Sequence, residues 1–531
     1  MSFLSYQRSD PRLPAVALVV ISAVYLLAGI TGHDPWKSED VIHIAVAYSF
    51  ATEGNWLVPR IAGEAWPHTA PLYHWVAAIL GRALQGILPF HDAARLATPF
   101  FGAIFLFAIA QASRLTHGRT AGQIAPLIAI GTLGLLLPLH EAQPAIAGLA
   151  CAALAFWGSA CLQQKNRYGS LWLGLGIGLA FPAHGLAGLV MVVAALAIPL
   201  FQRNRKALLL TSLIAAPLLA AWPLMLIDHA PAIWQQWWLN EWAEASRARG
   251  LPESRHLEQI LWATWPALPL ALWSAWLMRR QFEQVIFPIL GILITVIWYL
   301  SGSARLIAML PVIPPLILLA AAGTDKLRRG SANAFDWFAI MTFSFTALLI
   351  WLGASAQTLG WPSQIARNFE KLAPGYSGNT ALPIAFLALM ATGIWVMSWR
   401  LPRASWRPSL HWAMGTTLMW GLVAALWLGW IDHGKSYRHV AQDMSATLPD
   451  NHGCIERGDF GTPLRASLDY FSGIRTVPAQ RGRLCEWRLL IADRDYAPTP
   501  GWTEHWRGNR PSDRKERWIL ERRAHEPVPV R

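Results

Sequence analysis

The sequence has little cysteine and little charge. Cysteine accounts for 4 of its 531 residues, and Asp, Glu, Lys and Arg together make up 14%. So few cysteines exclude a disulfide-rich secreted scaffold. Spacings typical of metal sites, such as Cys-x-x-Cys or His-x-x-x-His, do not occur, so we expect neither a metal nor a cofactor. The low charge density argues against a soluble protein of this length.

Apolar residues, in contrast, make up 54% of the chain. They are gathered in runs of about twenty residues, the length that a helix needs to cross a bilayer. The 30 tryptophans suit a protein that anchors itself at two membrane interfaces. We therefore predict an α-helical polytopic membrane protein with about thirteen spans, near residues 13–31, 94–112, 121–139, 144–162, 171–182, 186–201, 208–227, 260–278, 285–301, 306–323, 338–356, 381–399 and 412–431.

The charge of the connections predicts their orientation. Every second connection is short and basic, and these carry Arg114/Arg119, Lys165/Arg167, Arg203/Arg205/Lys206, Arg279/Arg280, Lys326/Arg328/Arg329 and Arg400/Arg403/Arg407. This is the positive-inside pattern, which places the N-terminus in the cytoplasm and the long connections and the tail outside. It also accounts for the net charge of +13, so we expect no nucleic-acid partner.

The two ends of the chain differ in character. The polar start carries Arg8 and Arg12, and the apolar run after it lacks a cleavage site, so we expect a retained first span. Past residue 431 the apolar runs stop, and helix-like and strand-like stretches alternate. We predict a transmembrane domain over 1–431 and a small extracytoplasmic α/β domain over 432–531.

Two of the four cysteines, Cys454 and Cys485, lie in the tail. In an oxidising compartment they are expected to form a disulfide, and a reduced, buried pair is the alternative.

A long connection, residues 32–92, joins the first two predicted spans. An ordered loop of this length usually has a function. Its periodicity predicts two amphipathic helices along the outer surface, over 39–52 and 72–84. The aromatic residues expected at headgroup depth are Trp56, Trp66, Tyr73 and Trp75.

Ordered motifs in this connection carry a resemblance. An acidic pair at 39–40 is followed by Gly-Asn-Trp-Leu-Val-Pro at 54–59, where the related motif is Gly-Asp-Trp-x-x-Pro. Pro-Leu-Tyr-His-Trp follows at 71–75, where the related motif is Pro-Leu-Tyr-Tyr-Trp. Arg305 then precedes Leu-Pro-Val-Ile-Pro-Pro at 310–315. In this order the motifs resemble the lipid-linked-sugar glycosyltransferases of the protein mannosyltransferase and aminoarabinose transferase superfamily, which have the GT-C fold.

The resemblance implies an enzyme that moves a sugar from an undecaprenyl-phosphate donor to a lipid or glycan acceptor outside the inner membrane, with inversion. Its aminoarabinose branch favours lipid A. The chemistry needs a carboxylate to take a proton from the acceptor, and Glu39 or Asp40 can supply it. Their order is inverted relative to the family, which leaves both open; register favours Glu39. The alternative is that both acids complement the dipole of a helix that Ser38 caps.

The leaving group is a phosphate, which cations and hydrogen-bond donors stabilise. Arg305 is the best candidate, because an unpaired guanidinium at that depth is costly; a snorkelling anchor is the alternative. Further candidates for binding the donor or the substrate are Lys37, Arg60, His68, Tyr73, His140, Glu141, His184 and Arg255.

Two departures from the family affect the expected site. Thr69 stands where many relatives have a lysine near the donor phosphate, and His68 is a partial substitute. Ala145 stands where an aspartate is expected, which leaves Glu141 as a second acid or as a structural residue. The tryptophans at 234, 237, 238 and 242 suit a sugar or an interfacial belt equally.

Two other functions remain open on the sequence alone. A lipid or polysaccharide transporter would need inverted repeats and charged span centres, and neither is evident. A membrane scaffold would not need the acidic pair. The prediction is therefore a membrane glycosyltransferase, with a transporter or flippase as the alternative.

Overall fold

The structure is a computed structural model that describes residues 13–37, 39–246, 254–302, 305–378, 380–479, 485–492, 496–513 and 516–524. Arg8, Arg12 and Ser38 lie outside the described residues. The helices are α1 (Ala15–Leu27), α2 (Glu39–Glu53), α3 (Leu72–Ala83), α4 (Phe90–Arg95), α5 (Ala97–His117), α6 (Arg119–Gly131), α7 (Ala145–Gln163), α8 (Gly169–Val193), α9 (Ala197–Phe201), α10 (Arg205–His229), α11 (Pro231–Ala245), α12 (Ser254–Ala263), α13 (Ala267–Leu277), α14 (Phe282–Ser301), α15 (Leu306–Met309), α16 (Ile313–Thr324), α17 (Arg329–Leu359), α18 (Ser363–Leu372), α19 (Leu382–Ser398), α20 (Arg407–Leu426), α21 (Leu428–Lys435), α22 (Arg438–Thr447) and α23 (Thr462–Ser472).

The strands are short and few. They are β1 (Arg60–Ile61), β2 (Glu64–Ala65), β3 (Ile455–Arg457), β4 (Thr476–Pro478), β5 (Trp487–Ala492), β6 (Trp502–Gly508) and β7 (Arg517–Arg523). The first two form a hairpin, and the other five form one mixed sheet in the order β4-β3-β5-β7-β6. An α-helical membrane protein with a small C-terminal α/β region, as predicted, is confirmed.

The number of spans differs from the prediction. Among the described residues, six helices are long and apolar enough to cross a membrane, or up to eight if each of two bent helix pairs is one span. Three further apolar helices are shorter, at Ala15–Leu27, Val285–Ser301 and Leu382–Ser398. The predicted count of thirteen is therefore not confirmed, because several apolar runs are bent or shortened.

Close helix packing explains the many small residues in the first half of the chain. A side chain on Gly158 would meet the backbone of Leu173, and one on Gly176 would meet the backbone of Cys151 and Ala155. Small residues let helix backbones approach closely within a bilayer, where burial of apolar surface gives no driving force. Helices α5, α7 and α8 thus form a dense centre.

The break in α8 changes the direction of the chain. His184 and Gly185 have non-helical backbone angles, and Gly185 has a φ of +55°. A side chain on Gly188 would lie 2.1 Å from the carbonyl oxygen of Ala180, which is impossible in a straight helix. The chain therefore turns sharply at the break, where one predicted apolar run ends and the next begins.

The predicted helices of the first connection form; α3 keeps an exposed face that includes Ile79 and Arg82, whereas α2 is largely buried. Helix α2 has nine buried residues and packs between α3 and α23. Tyr73 is fully buried, so its ring packs inside the protein. Helix α23 of the C-terminal region covers a face of α2 that the sequence analysis predicts to lie along the outer surface.

The C-terminal sheet has its own apolar core, and it is tied by a disulfide. Leu464 and Leu468 of α23 pack with Trp487, Trp518 and other residues of the sheet. Cys454 and Cys485 are bonded, which confirms the predicted pair.

Candidate functional site

A cavity of about 540 Å³ lies where the N-terminus of α2, the break in α8 and the end of α11 meet. Its lining is rich in titratable and polar side chains. Those that the following paragraphs use are Glu39, His43, His68, Thr69, Gln143, His184, Asn240, Glu241, Glu244, Arg305 and Thr462.

Glu39 begins α2 and faces this cavity. Its side chain is 33% exposed, and its Oε2 lies 3.4 Å from Nε2 of His43, one turn later on the same helix. The contact with His43 lowers the pKa of Glu39 against the opposing effect of burial, and the charge of Arg305 lowers it further. Glu39 is therefore an ionised carboxylate that a substrate can reach.

Asp40, in contrast, is held inside the protein. Its two carboxylate oxygens accept hydrogen bonds from Nε and Nη2 of Arg95, at 3.1 and 2.9 Å. The backbone N–H of Ala142 donates to the same carboxylate at 2.7 Å. Burial alone would raise the pKa of Asp40, but Arg95 outweighs it and lowers the pKa. Asp40 does not line the cavity, so the structure separates the two acids that sequence leaves open.

Arg95 is a site-supporting residue that the sequence interpretation missed. It is fully buried at the end of α4, and besides Asp40 it binds Asp92 at 3.1 Å and the carbonyl oxygen of Ile30 at 3.0 Å. The available signal was an arginine at the start of a predicted span, since such a charge is costly without a partner.

His140 and Glu141, two predicted binding residues, lie in the turn before α7 and do not reach the cavity. Both ring nitrogens of His140 face backbone carbonyl oxygens, those of Leu136 and Tyr25, so this histidine joins helices. Burial and the neighbouring Asp40 and Glu39 raise the pKa of Glu141 to about 8. Neither His140 nor Glu141 lines the cavity, although Gln143 of the same turn does.

The predicted phosphate-binding residues divide into two groups. Arg305 lines the cavity and forms an ion pair with Glu244 of α11. His68 lines it too, with its ring 4.3 Å from that of Trp66, and burial lowers its pKa. Thr69, at the position of the absent lysine, is buried and donates its hydroxyl hydrogen to the carbonyl oxygen of Ala70.

The second group of predicted residues lies away from the cavity. Lys37 pairs with Glu516 at 2.7 Å, and Arg60 donates to the carbonyl oxygen of Gly63 in its own hairpin. The hydroxyl of buried Tyr73 is 2.7 Å from that of Thr98. Each of these side chains is occupied by a structural contact, and the structure does not bring them to the cavity. Arg255 is exposed on α12 and also lies outside the lining.

The break in α8 brings His184 to the cavity and is held by Glu241. The backbone N–H of Leu186, which begins the second half of α8, donates to Oε2 of Glu241 at 2.9 Å. A carboxylate at a helix N-terminus accepts an otherwise unpaired N–H and complements the dipole. Burial nevertheless raises the pKa of Glu241 to about 7. This carboxylate is a second acidic group in the lining.

Comparison with known proteins identifies proteins of similar sequence. No established family profile matches the chain. It is 24% identical over 429 residues to undecaprenyl phosphate-α-4-amino-4-deoxy-L-arabinose arabinosyl transferase 2 of Pseudomonas fluorescens, which covers 77% of this chain and 70% of the relative. The corresponding transferase of Pseudomonas aeruginosa strain UCBPP-PA14 is 26% identical over 431 residues, covering 77% and 74%.

A solved structure resembles nearly the whole chain. The crystal structure of ArnT from Cupriavidus metallidurans bound to undecaprenyl phosphate superimposes with a TM-score of 0.69 at 16% identity, covering 95% of this chain and 97% of that one. The chain has the GT-C fold.

In this GT-C protein the tryptophans of α11 serve the fold. The ring of Trp237 is buried and stacks at 5.5 Å on that of Trp234, and it also packs against Trp222 of α10. These rings are not part of the cavity lining. From the same helix, Asn240 does line the cavity and donates to the carbonyl oxygen of Pro67 at 2.7 Å, which joins α11 to the first connection.

Two histidines near the cavity, His43 and His74, are not among the predicted site residues. His43 lines the cavity beside Glu39, and its Nδ1 is 3.1 Å from Nε2 of His74 on α3. His74 stands where the related motif has its second tyrosine. The available signal was the spacing of four between Glu39 and His43, which places both on one helix face.

Proposed function

We propose that the chain is a membrane glycosyltransferase that moves a sugar from an undecaprenyl-phosphate donor to an acceptor. The observation that carries the proposal is one cavity in which a reachable carboxylate, Glu39, faces a cation, Arg305. The transfer needs both, a base at the nucleophile and a positive charge at the departing phosphate. The transferases named above and the undecaprenyl phosphate bound by ArnT support this donor.

Glu39 is the proposed base. It takes the proton of the acceptor group as the acceptor's atom bonds to the anomeric carbon. The bond from that carbon to the phosphate oxygen breaks on the opposite face, and its electron pair stays on the phosphate. Asp40 is not a second base in this proposal, because Arg95 and Ala142 occupy its oxygens.

Arg305 and His68 are proposed to receive the polyprenyl phosphate. Arg305 already has an anionic neighbour in Glu244, and a phosphate can share or replace this contact. His68 is the proposed replacement for the lysine that is absent at Thr69. His184 lies at the α8 break on the same lining and is proposed to contact the donor.

An amino sugar and lipid A are the proposed substrate classes. The lining carries three glutamates, Glu39, Glu241 and Glu244, whose carboxyl oxygens can accept from an ammonium group, and this favours an amino sugar. The relatives' names specify such a sugar, 4-amino-4-deoxy-L-arabinose. Lipid A follows from the resemblance to the aminoarabinose branch.

We also propose the location and the domain boundary. The basic connections support a bacterial inner-membrane protein with its N-terminus in the cytoplasm and its C-terminus in the periplasm. The proposed transmembrane domain is 1–431 and the proposed periplasmic domain is 432–531. Thr462 of the latter lines the cavity, which supports a reaction on the periplasmic side.

The deciding experiment supplies the purified full chain in nanodiscs with radiolabelled undecaprenyl-phosphate aminoarabinose and lipid A. We expect transfer by the wild type and a loss of about 100-fold or more in Glu39→Gln, the usual range for removal of a general base. Asp228→Asn is the matched control, since Asp228 is an exposed carboxylate near the end of α10. It should transfer at the wild-type rate.

Two results would overturn the proposal. Absence of transfer by the wild type, with movement of intact donor between leaflets, would indicate a flippase. Wild-type turnover by Glu39→Gln would remove Glu39 as the base. Intact-mass comparison of lipid A from cells with and without the gene tests the acceptor independently.

A further inference from the structure

Three side chains form a row that leads from the cavity into the protein. Glu39 Oε2 is 3.4 Å from Nε2 of His43, and Nδ1 of His43 is 3.1 Å from Nε2 of His74. Nδ1 of His74 is in turn 3.1 Å from the carbonyl oxygen of Ala70. The row links a carboxylate at the cavity to a backbone acceptor on the neighbouring helix start.

The carbonyl oxygen of Ala70, at the end of the row, determines which nitrogens of the two histidines carry hydrogens. A carbonyl oxygen only accepts, so Nδ1 of His74 carries a hydrogen. Thr69 Oγ1, 3.3 Å from this nitrogen, donates its own hydrogen to Ala70 and can only accept from His74. His74 is fully buried, and burial lowers its pKa well below its ordinary value. The ring is therefore neutral, and its Nε2 accepts a hydrogen bond.

His43 must then donate from Nδ1, which leaves its Nε2 directed at Glu39. If this nitrogen were unprotonated while Glu39 is ionised, two lone pairs would face each other across 3.4 Å. A single proton between the two groups removes this repulsion and gives a charge-assisted contact.

We propose that His43 is a positioning residue for Glu39: its Nε2–H donates to the carboxylate and thereby keeps it ionised and aimed into the cavity, while Nε2 of His74 accepts from Nδ1 of His43 and holds the ring in place. The inference rests on the proposed function, because it assigns Glu39 as the base. His43 itself exchanges no proton with the substrate in this scheme. The logic is that of a base oriented by a third group, here with a histidine orienting a carboxylate.

Other charged and titratable groups surround the pair of Glu39 and His43. Arg305 adds to the stabilisation of the carboxylate, and Asp40 is neutralised by Arg95. The remaining titratable groups that face the pair or share its lining are His68, Glu141, His184, Glu241 and Glu244. Arg305 lowers the pKa of Glu39 less than His43 does. If His43 is removed, Arg305 is therefore expected to leave the pKa of Glu39 higher than in the wild type.

The first test reads the hydrogens on both ring nitrogens of His43 directly and needs no turnover. The full chain is labelled with ¹⁵N-histidine in nanodiscs, and the His43 signals are assigned by their loss in His43→Gln. We expect Nδ1 of His43 to be protonated in the wild type, because it faces the accepting Nε2 of His74, and the Nε2 signal of His43 to shift in Glu39→Gln, which removes the carboxylate beside it. His74→Leu removes the acceptor and should shift the Nδ1 signal, whereas His74→Gln, which keeps an acceptor oxygen, should restore it.

The second test is the pH dependence of transfer. In the wild type the acid limb reports the ionisation of Glu39. Without the proton on His43, burial raises the pKa of Glu39, so His43→Gln should move the acid limb to higher pH by about one unit. His74→Leu should move it in the same direction, and His74→Gln should return it toward the wild-type position. If His43 had a purely structural role, His43→Gln would lower the rate of transfer by the same factor at all pH values.

The two tests separate this inference from the proposed function. An unprotonated Nδ1 on His43, or an Nε2 signal that Glu39→Gln leaves unchanged, overturns the positioning role even in an active enzyme. An unmoved acid limb in His43→Gln does the same. Absence of transfer by the wild type overturns the proposed function, and the NMR result then stands on its own.

Discussion

At the scale of single residues, Glu39 and Asp40 show how neighbours in the chain acquire different properties. Successive side chains on a helix point about 100° apart, so one of two adjacent acids can face a cavity while the other faces the core. Asp40 meets Arg95 there and forms a buried ion pair. Its stabilising effect depends on both partners, because a buried charge without its partner is costly.

This pair predicts the effect of removing either carboxylate on stability. Asp40→Asn removes one of the two carboxylates that bind Arg95 and keeps the other, Asp92. It should lower the free energy of unfolding by about 3 kcal/mol, because the buried guanidinium loses a partner. Glu39→Gln should leave stability nearly unchanged. Thermal denaturation of both variants in the same detergent checks this.

A double variant tests the cause of that loss. Asp40→Asn combined with Arg95→Met removes both charges, so it should recover part of the lost stability. Equal melting temperatures of Asp40→Asn and the wild type would contradict the assignment of Asp40 as a buried structural partner.

At the scale of elements, the break in α8 positions two groups of the cavity. His184 stands at the break, and Glu241 of α11 accepts from the first free N–H beyond it. Gly185 allows the turn, since its φ of +55° is a conformation that other residues rarely adopt. The neighbouring helix approaches so closely that little space remains at this glycine.

This geometry predicts that Gly185→Ala is damaging. The new Cβ would lie 2.4 Å from Oε2 of Glu241 and would also strain the backbone. We expect loss of about 1–2 kcal/mol of stability and a rate of transfer at least several-fold lower, because His184 and Glu241 must shift. Denaturation and transfer assays measure the two effects.

Gly393→Ala is the matched control for this substitution. Gly393 lies in the apolar helix α19, and nothing lies within 4 Å of an added Cβ. Alanine there should be neutral or slightly stabilising. If both variants behaved alike, the turn at Gly185 would not be a constraint on the site.

At the scale of the whole molecule, ion pairs hold the C-terminal sheet region against the first connection. Asp34 binds Arg438 and accepts from the hydroxyl of Ser436, and Glu64 binds both Arg457 and Arg465. The contacts join segments that are about four hundred residues apart, as the separation of 404 between Asp34 and Arg438 shows. They place α23 over α2 and complete the cavity.

Loosening this docking should expose the C-terminal helices. Asp34→Asn removes the charge that binds Arg438, so we expect faster amide hydrogen exchange in α22 and α23 and a smaller effect of added salt on that exchange. Glu504→Gln is the control, because Glu504 pairs with Arg507, three residues away on the same strand β6. Unchanged exchange in α23 of the Asp34 variant would show that apolar contacts suffice.

Several features of the fold follow from sequence pattern. Apolar runs identify membrane helices because length and hydropathy are local properties, and α2 and α3 follow from periodicity. The sheet region was predicted from the change in composition after residue 431, and the pairing of Cys454 with Cys485 from their place in a tail expected in an oxidising compartment. The exact span count was not, because bends such as the 83° angle between α12 and α13 depend on packing.

The sequence by itself determined the membrane class, the resemblance to lipid-linked-sugar transferases and the small set of acids and cations near the site, since composition, run length and motif order are properties of the chain. Only the tertiary structure decided that Glu39 reaches the cavity while Asp40 binds Arg95, that Lys37, Arg60 and Tyr73 lie elsewhere, and that His43 and His74 align behind Glu39. The physical reason is that burial, partners and protonation depend on residues distant in sequence, which folding brings within a few ångströms.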